Sequence, residues 1–332
     1  DGAGVVDRLR KRLNGVLTRV ESIRGGPSAA GGANVPDGPV TAPSAAASVP
    51  RPPKAVPKGR AFTDAEKSVL KASSIVNGHL FQPWLRVDLR ERFSFSEPFT
   101  DPDGLLKLSK KQAQYLCGWG RPSQFIPRGA TPKMIGIVSP NAIRQELVTD
   151  CSFVSSLCIA ASFERRFRKR LITGIIFPQN RSGTPIYNPC GKYMVKLWIN
   201  GIPRKVIIDD LLPLRGARRG GKSRLLCSYT SDPSELWVCI IEKAYMKVCG
   251  GYDFPGSNSG IDLFALTGWI PEGFHLKCSE DFDEKRTWER LVSAHRYGDC
   301  LITVATGYLP EREAERAGLV PTHAYAVLDV RD

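Results

Sequence analysis

The segment KYMVKLWINGIPRKVIIDD, residues 192–210, constrains the fold more than any other. Apolar residues stand at alternate positions before Asn200-Gly201. That dipeptide suits a two-residue turn, whose central residues both need positive φ. The reading is a β-hairpin with one face buried. Before it, the stretch from Cys151 carries Phe153, Val154, Leu157, Cys158, Ala161 and Phe163, apolar on most faces, which predicts a central buried helix. After it, SELWVCIIEKAYMKVCGGY predicts a strong amphipathic helix, with Gly250-Gly251 as its stop. DCLITVAT and HAYAVLDV read as strands. There is no regular β-α-β alternation and no internal repeat. Helices first and strands later argue an α+β fold.

Two capping boxes mark where order begins. Thr63 with Glu66 opens one short helix, and Ser109 with Gln112 opens another. Between them FSFSEPFTDPDG reads as loop. Upstream the character changes. Residues 4–24 place Val5, Leu9, Leu13, Val16, Leu17, Val20 and Ile23 at helical spacing, a helix whose apolar face needs partners. Residues 25–60 are Gly, Pro, Ala and Ser with almost no large apolar group, which predicts a disordered linker.

Charge and cysteines narrow the classes of function. The chain of 332 residues has a net charge of +14. Residues 1–60 hold ten basic and four acidic groups, and much of the rest sits in ERRFRKR (164–170) and RGARRGGKSR (215–224). Neither run has interleaved aromatics, so they read as solvated helix ends and loop rather than a nucleic-acid surface. No apolar run is long enough to span a membrane, and no secretory h-region opens the chain. Nine scattered cysteines without a C-x-x-C pair fit a reducing compartment, not a zinc ribbon or a disulfide framework. A first residue of Asp rather than Met reads as a piece of a longer protein.

Cys151 is the residue with most chemical promise. It follows Asp150, a good N-cap, and so lies on a first helical turn, where free N–H groups and the dipole favour a thiolate. The Asp charge opposes that effect, and a histidine partner is needed. Of His79, His275, His295 and His323, the last stands at the head of the strand HAYAVLDV behind a Pro-Thr turn. Gln145 and the Cys151 N–H are candidate oxyanion donors. From these residues alone Cys151 reads more readily as a small core residue than as a nucleophile.

Four elements in order change that balance. QELVTDC resembles the Q-x5-C element of the calpain cysteine proteases. SELWVCIIEKAYMKVCGGYDF resembles their W-x-x-x-x-E-K-A-Y helix, LTGW the end of their first catalytic subdomain, and THAYAVLDV their histidine strand. The likeness covers roughly residues 62–332. NPCGKYMVKLWINGIPRKVIIDD and GGYDFPGSNS resemble the atypical PalB branch, the calpain-7 type, whose members begin with MIT modules. The resemblance implies a papain-like α+β core with two catalytic subdomains, 61–267 and 268–332. It implies Cys151 as nucleophile, His323 as its base, Gln145 in the oxyanion hole and Gly268 as a substrate contact. Trp237, Glu242, Tyr245 and Tyr252 are assigned to packing. It further implies residues 1–24 as the last helix of an MIT module with an ESCRT-III-type partner, protein or peptide substrates, and a cytoplasmic, endosome-associated location.

The sequence departs from conventional calpains at several positions. Ser152 stands where they carry Trp, and Thr322 where they carry Gly. Ala142 stands where they place an Asp calcium ligand, while Asp253 keeps an acidic group at the second ligand position. No cofactor is therefore assigned, and Asp253 is the one calcium position carried over. The family's third member, an Asn in an N-P-W element, does not occur after His323. The expected function is a cysteine endopeptidase whose second subdomain is incomplete in this chain. The alternative is a protease-like scaffold on endosomal membranes.

Overall fold

The computed structural model describes residues 62–216, 223–274, 283–308 and 310–331. The helix at 4–24, the linker at 25–60 and His275 lie outside the described residues.

The hairpin forms as the alternation demands. Strands Lys192–Ile199 and Ile202–Asp209 pair antiparallel from Lys192 opposite Asp209 to Ile199 opposite Ile202. Asn200 and Gly201 close it with φ of 49° and 82°. The short strand Ile176–Phe177 adds to its first strand. A second three-stranded sheet joins Leu116–Gly120, Leu212–Arg215 and Arg224–Leu225.

Two helices fill the centre. Cys151–Phe167 buries Phe153, Leu157, Ala160 and Ala161 completely. Helix Trp237–Val248 packs against the second strand of the hairpin. It differs from the amphipathic helix expected, because all twelve of its residues are buried. Its polar groups face ion pairs instead of water. Lys243 pairs with Asp209 and donates to the carbonyl of Leu211 at 2.6 Å. Lys247 donates to both oxygens of Asp101 at 2.8 and 2.7 Å, and to the Ile207 carbonyl at 2.9 Å. Such buried charges persist only when paired and fully hydrogen-bonded.

Helix Ser259–Thr267 ends at Gly268 (φ 74°) and packs on the first hairpin strand. Beyond it, helices Glu284–Tyr297 and Glu311–Ala317 alternate with strands Thr303–Ala305 and Ala324–Ala326. This tail of the chain mixes helix and strand, where the sequence pattern suggested strands. The two strands pair antiparallel with Val304 opposite Tyr325, and both lie against helix Cys151–Phe167. Among the described residues no helix is long and apolar enough to cross a membrane.

Candidate active site

Cys151 is the first residue of its helix and is half-buried. The loop before it is pinned on three sides. The Leu147 N–H donates to the Leu226 carbonyl at 3.1 Å. The Gln112 side chain donates to the carbonyls of Tyr252 at 2.9 Å and Leu147 at 3.3 Å. The Thr149 hydroxyl donates to the Phe254 carbonyl at 2.5 Å. One turn into the helix, Phe153 stacks on Tyr245 with ring centroids 4.3 Å apart. Cys151 thus sits on a rigid platform, with the free N–H groups of a helix start around it.

Asp150 occupies the N-cap position the sequence suggested, but its side chain makes no capping hydrogen bond. Its carboxyl turns to Gln145, whose Nε2 donates to Oδ1 at 3.0 Å and to the Val148 carbonyl at 3.0 Å. Burial pushes the Asp150 carboxyl well above the usual carboxylate range, and the nearby Glu242 pushes it the same way. A shift in this direction weakens the opposition expected from an ionised Asp next to Cys151.

Ser152 is buried, and so is Asp262, whose carboxyl accepts from the Tyr245 hydroxyl at 2.6 Å. A hydroxyl and a buried acid thus occupy this corner of the core.

The histidines separate by position. His295 is buried at the far end of the same helix, with Arg166 Nη1 at 3.1 Å from both ring nitrogens. Burial and Arg166 both lower its pKa. Arg166 lies fifteen residues beyond Cys151, a helical rise of about 22 Å, so His295 is not a base for Cys151. His79 lies in a short strand, 3.3 Å from Asp103. His323 immediately precedes strand Ala324–Ala326, which packs on the Cys151 helix. Its N–H donates to Thr306 Oγ1 at 3.0 Å, and its carbonyl accepts from the Thr306 N–H at 2.9 Å. Its ring stands edge-on to Tyr325 at 5.0 Å.

Most other described thiols are poor nucleophiles. Burial pushes Cys158 and Cys249 up to about 12 and raises Cys227, Cys239 and Cys300. Cys190 donates to the Phe95 carbonyl at 3.2 Å, and Cys117 is exposed.

Asp253 is held by Lys107 at 2.9 Å. Among the described residues no group of three or more His, Cys, Asp or Glu side chains is placed to hold a metal. An open hollow of about 440 Å³ lined by Phe163, Arg170 and Trp269 lies toward the other end of the Cys151 helix.

Comparison with known proteins decides the family. A model described as calpain family cysteine protease matches residues 97–332. The chain is 54% identical over 276 residues to human calpain-7, covering 83% of this chain and 33% of that protein. It is 39% identical over 283 residues to the calpain-like protease palB/RIM13 of Aspergillus oryzae, covering 82% of this chain and 32% of the relative.

The chain belongs to the calpain family of cysteine proteases.

Its helix-and-strand core is the papain-like α+β core of that family. The chain spans about a third of the length of these calpain relatives. Within the calpain core, the described residues bring the Cys151 helix, the Gln145 loop and the His323 strand into one packed unit. Gly268 approaches Trp198 so closely that a Cβ there would lie 2.4 Å from the indole. That approach accounts for the glycine by packing.

Proposed function

We propose that this chain carries the catalytic core of a cytoplasmic cysteine endopeptidase acting on protein or peptide substrates. The observation that carries the reading is the position of Cys151: first residue of a buried helix, next in sequence to Asp150, which binds the Gln145 amide, on the helix that packs against strand Ala324–Ala326 directly after His323.

The Cys151 thiolate attacks the peptide carbonyl carbon, and the carbonyl electron pair moves onto oxygen. The Cys151 N–H and one N–H of Gln145 receive that oxyanion. Both Gln145 hydrogens are engaged in this structure, so the substrate oxygen takes the place of the Val148 carbonyl while Asp150 keeps its hold. Collapse of the tetrahedral adduct breaks the C–N bond, and His323 gives the leaving amine its proton. Water, deprotonated by His323, then hydrolyses the thioester and restores the thiol. The described cysteines are all unpaired, in keeping with a reducing compartment.

The test is peptide hydrolysis by the protein and three variants. Cys151→Ser and His323→Ala are expected to abolish turnover, and Gln145→Ala to lower kcat by about 10²–10³ with KM little changed. Turnover by Cys151→Ser at the parent rate would overturn the assignment.

A further inference from the structure

The interior behind Cys151 holds an arrangement that packing alone does not explain. Asp150 and Glu242 are both fully buried, and their carboxyls are within hydrogen-bonding reach of each other. Oδ1 of Asp150 accepts from Gln145 Nε2 at 3.0 Å. Oδ2 is buried and receives no N–H or O–H from any other group. On the far side, Glu242 accepts the Ser228 N–H on both oxygens, at 3.0 and 2.9 Å. Two carboxylates cannot face each other dry with both ionised. One proton between them satisfies every atom: Asp150 O–H donates through Oδ2 to the Glu242 carboxylate, and Oδ1 stays an acceptor.

The acceptor matters because a glutamine amide can sit either way round. With Oδ1 able only to accept, and the Val148 carbonyl accepting from the same nitrogen, Gln145 presents its NH2 end beside the start of the Cys151 helix. With Gln145 reversed, its oxygen would face Asp150 Oδ1 and the site would lose its side-chain donor.

We propose that Asp150 and Glu242 share one proton and act as a positioning pair, which holds the Gln145 amide donor-first beside Cys151. The inference rests on the protease reading only for what that amide then does. The pair carries one negative charge, not two, next to the helix start. Titratable groups that feel it are Cys227, Cys239 and Tyr252 beside Glu242, and Cys249 beside Asp150. Burial holds all four neutral. Raising the pH removes the shared proton and places a second charge against the first.

Asn is the isostere of a protonated Asp: its oxygen accepts from Gln145 and its NH2 donates to Glu242. The first measurement is the infrared spectrum of the folded protein and of Asp150→Asn at neutral pH. A protonated-carboxyl band present in the parent and lost in the variant is expected; no such band in the parent overturns the proposal. This outcome is independent of whether Cys151 is a nucleophile, and it is repeated in Cys151→Ser. The second is the rate of Cys151 modification by a peptidyl epoxide across pH. Asp150→Asn is expected to stay within about threefold of the parent and to lose the parent's alkaline decline. Asp150→Ala is expected to fall by about tenfold to a hundredfold, the cost of a misplaced group. Equal loss in Asp150→Asn and Asp150→Ala, with both variants folded by circular dichroism, overturns the positioning role.

Discussion

Gln145 donates its side-chain amide to Asp150 Oδ1 across 3.0 Å, tying the loop before the Cys151 helix to the residue that begins it. Because this contact leans on a buried acid, it couples the site to pH. The folded-state pKa of Asp150 is raised, chiefly by burial and then by Glu242. The folded protein therefore holds a proton that the unfolded chain gives up in the ordinary carboxylate range. Stability contributed by that proton is complete below the unfolded pKa and is lost as pH rises toward the folded one. Asp150→Asn cannot lose it. Its melting temperature relative to the parent is expected to climb from acid toward neutral and mildly alkaline pH. A difference that stays flat with pH would contradict this.

Thr322 adopts a left-handed backbone with φ of 49°, where a β-branched residue is strained. Its neighbour His323 is fixed through Thr306, so the strain sits next to a candidate catalytic group. Thr322→Gly removes a strain of about 1–3 kcal/mol and adds unfolded-chain entropy of about 0.4–1 kcal/mol. The expected result is a variant as stable as the parent or more stable by about 1 kcal/mol, read from urea midpoints. A loss of more than about 1 kcal/mol, the cost of glycine at an ordinary position, would show that Thr322 makes a contact that outweighs its strain.

Gly268 joins helix Ser259–Thr267 to the hairpin by direct approach to Trp198. Gly268→Ala puts a methyl at a positive φ and into the indole. About 2–3 kcal/mol of destabilisation is expected, from overpacking and backbone strain together. Chemical denaturation measures it. If the loss is under about 0.5 kcal/mol, the level of an ordinary surface change, the glycine serves something other than this contact.

Much of the architecture was legible because it rests on local rules. Asn200-Gly201, the Thr63 and Ser109 capping boxes, and the glycines after helix Trp237–Val248 each act over a few residues. The same rule was present and unread at Asn77-Gly78, where φ values of 49° and 81° close a small hairpin that carries His79. Helix Trp237–Val248 misled for the opposite reason. Lys243 and Lys247 read as a solvent face, but their partners Asp209 and Asp101 arrive from distant segments. Asp150 takes the N-cap position expected of it, but its side chain turns to Gln145 rather than to the helix N–H groups. The residue types of the site could be named from the Q-x5-C and H-A-Y elements. The orientation of Gln145 could not, since it is set by two acceptors, the Val148 carbonyl and Asp150 Oδ1, that the folded loop places beside its amide.

The central claim is that Cys151 is the nucleophile. Competing thiols divide into those buried and pushed up, such as Cys158 and Cys249, and the exposed Cys117. A peptidyl epoxide needs both a thiolate and a substrate cleft, so it separates these classes where a small alkylating agent does not. The decisive measurement is peptide mapping by mass spectrometry after limited exposure of the protein to such a probe at neutral pH. The account predicts modification at Cys151, absent in Cys151→Ser and slowed at least about tenfold in His323→Ala, which lacks the base that activates the thiol. Modification spread over several cysteines, or centred on Cys117 with Cys151 untouched, would contradict it.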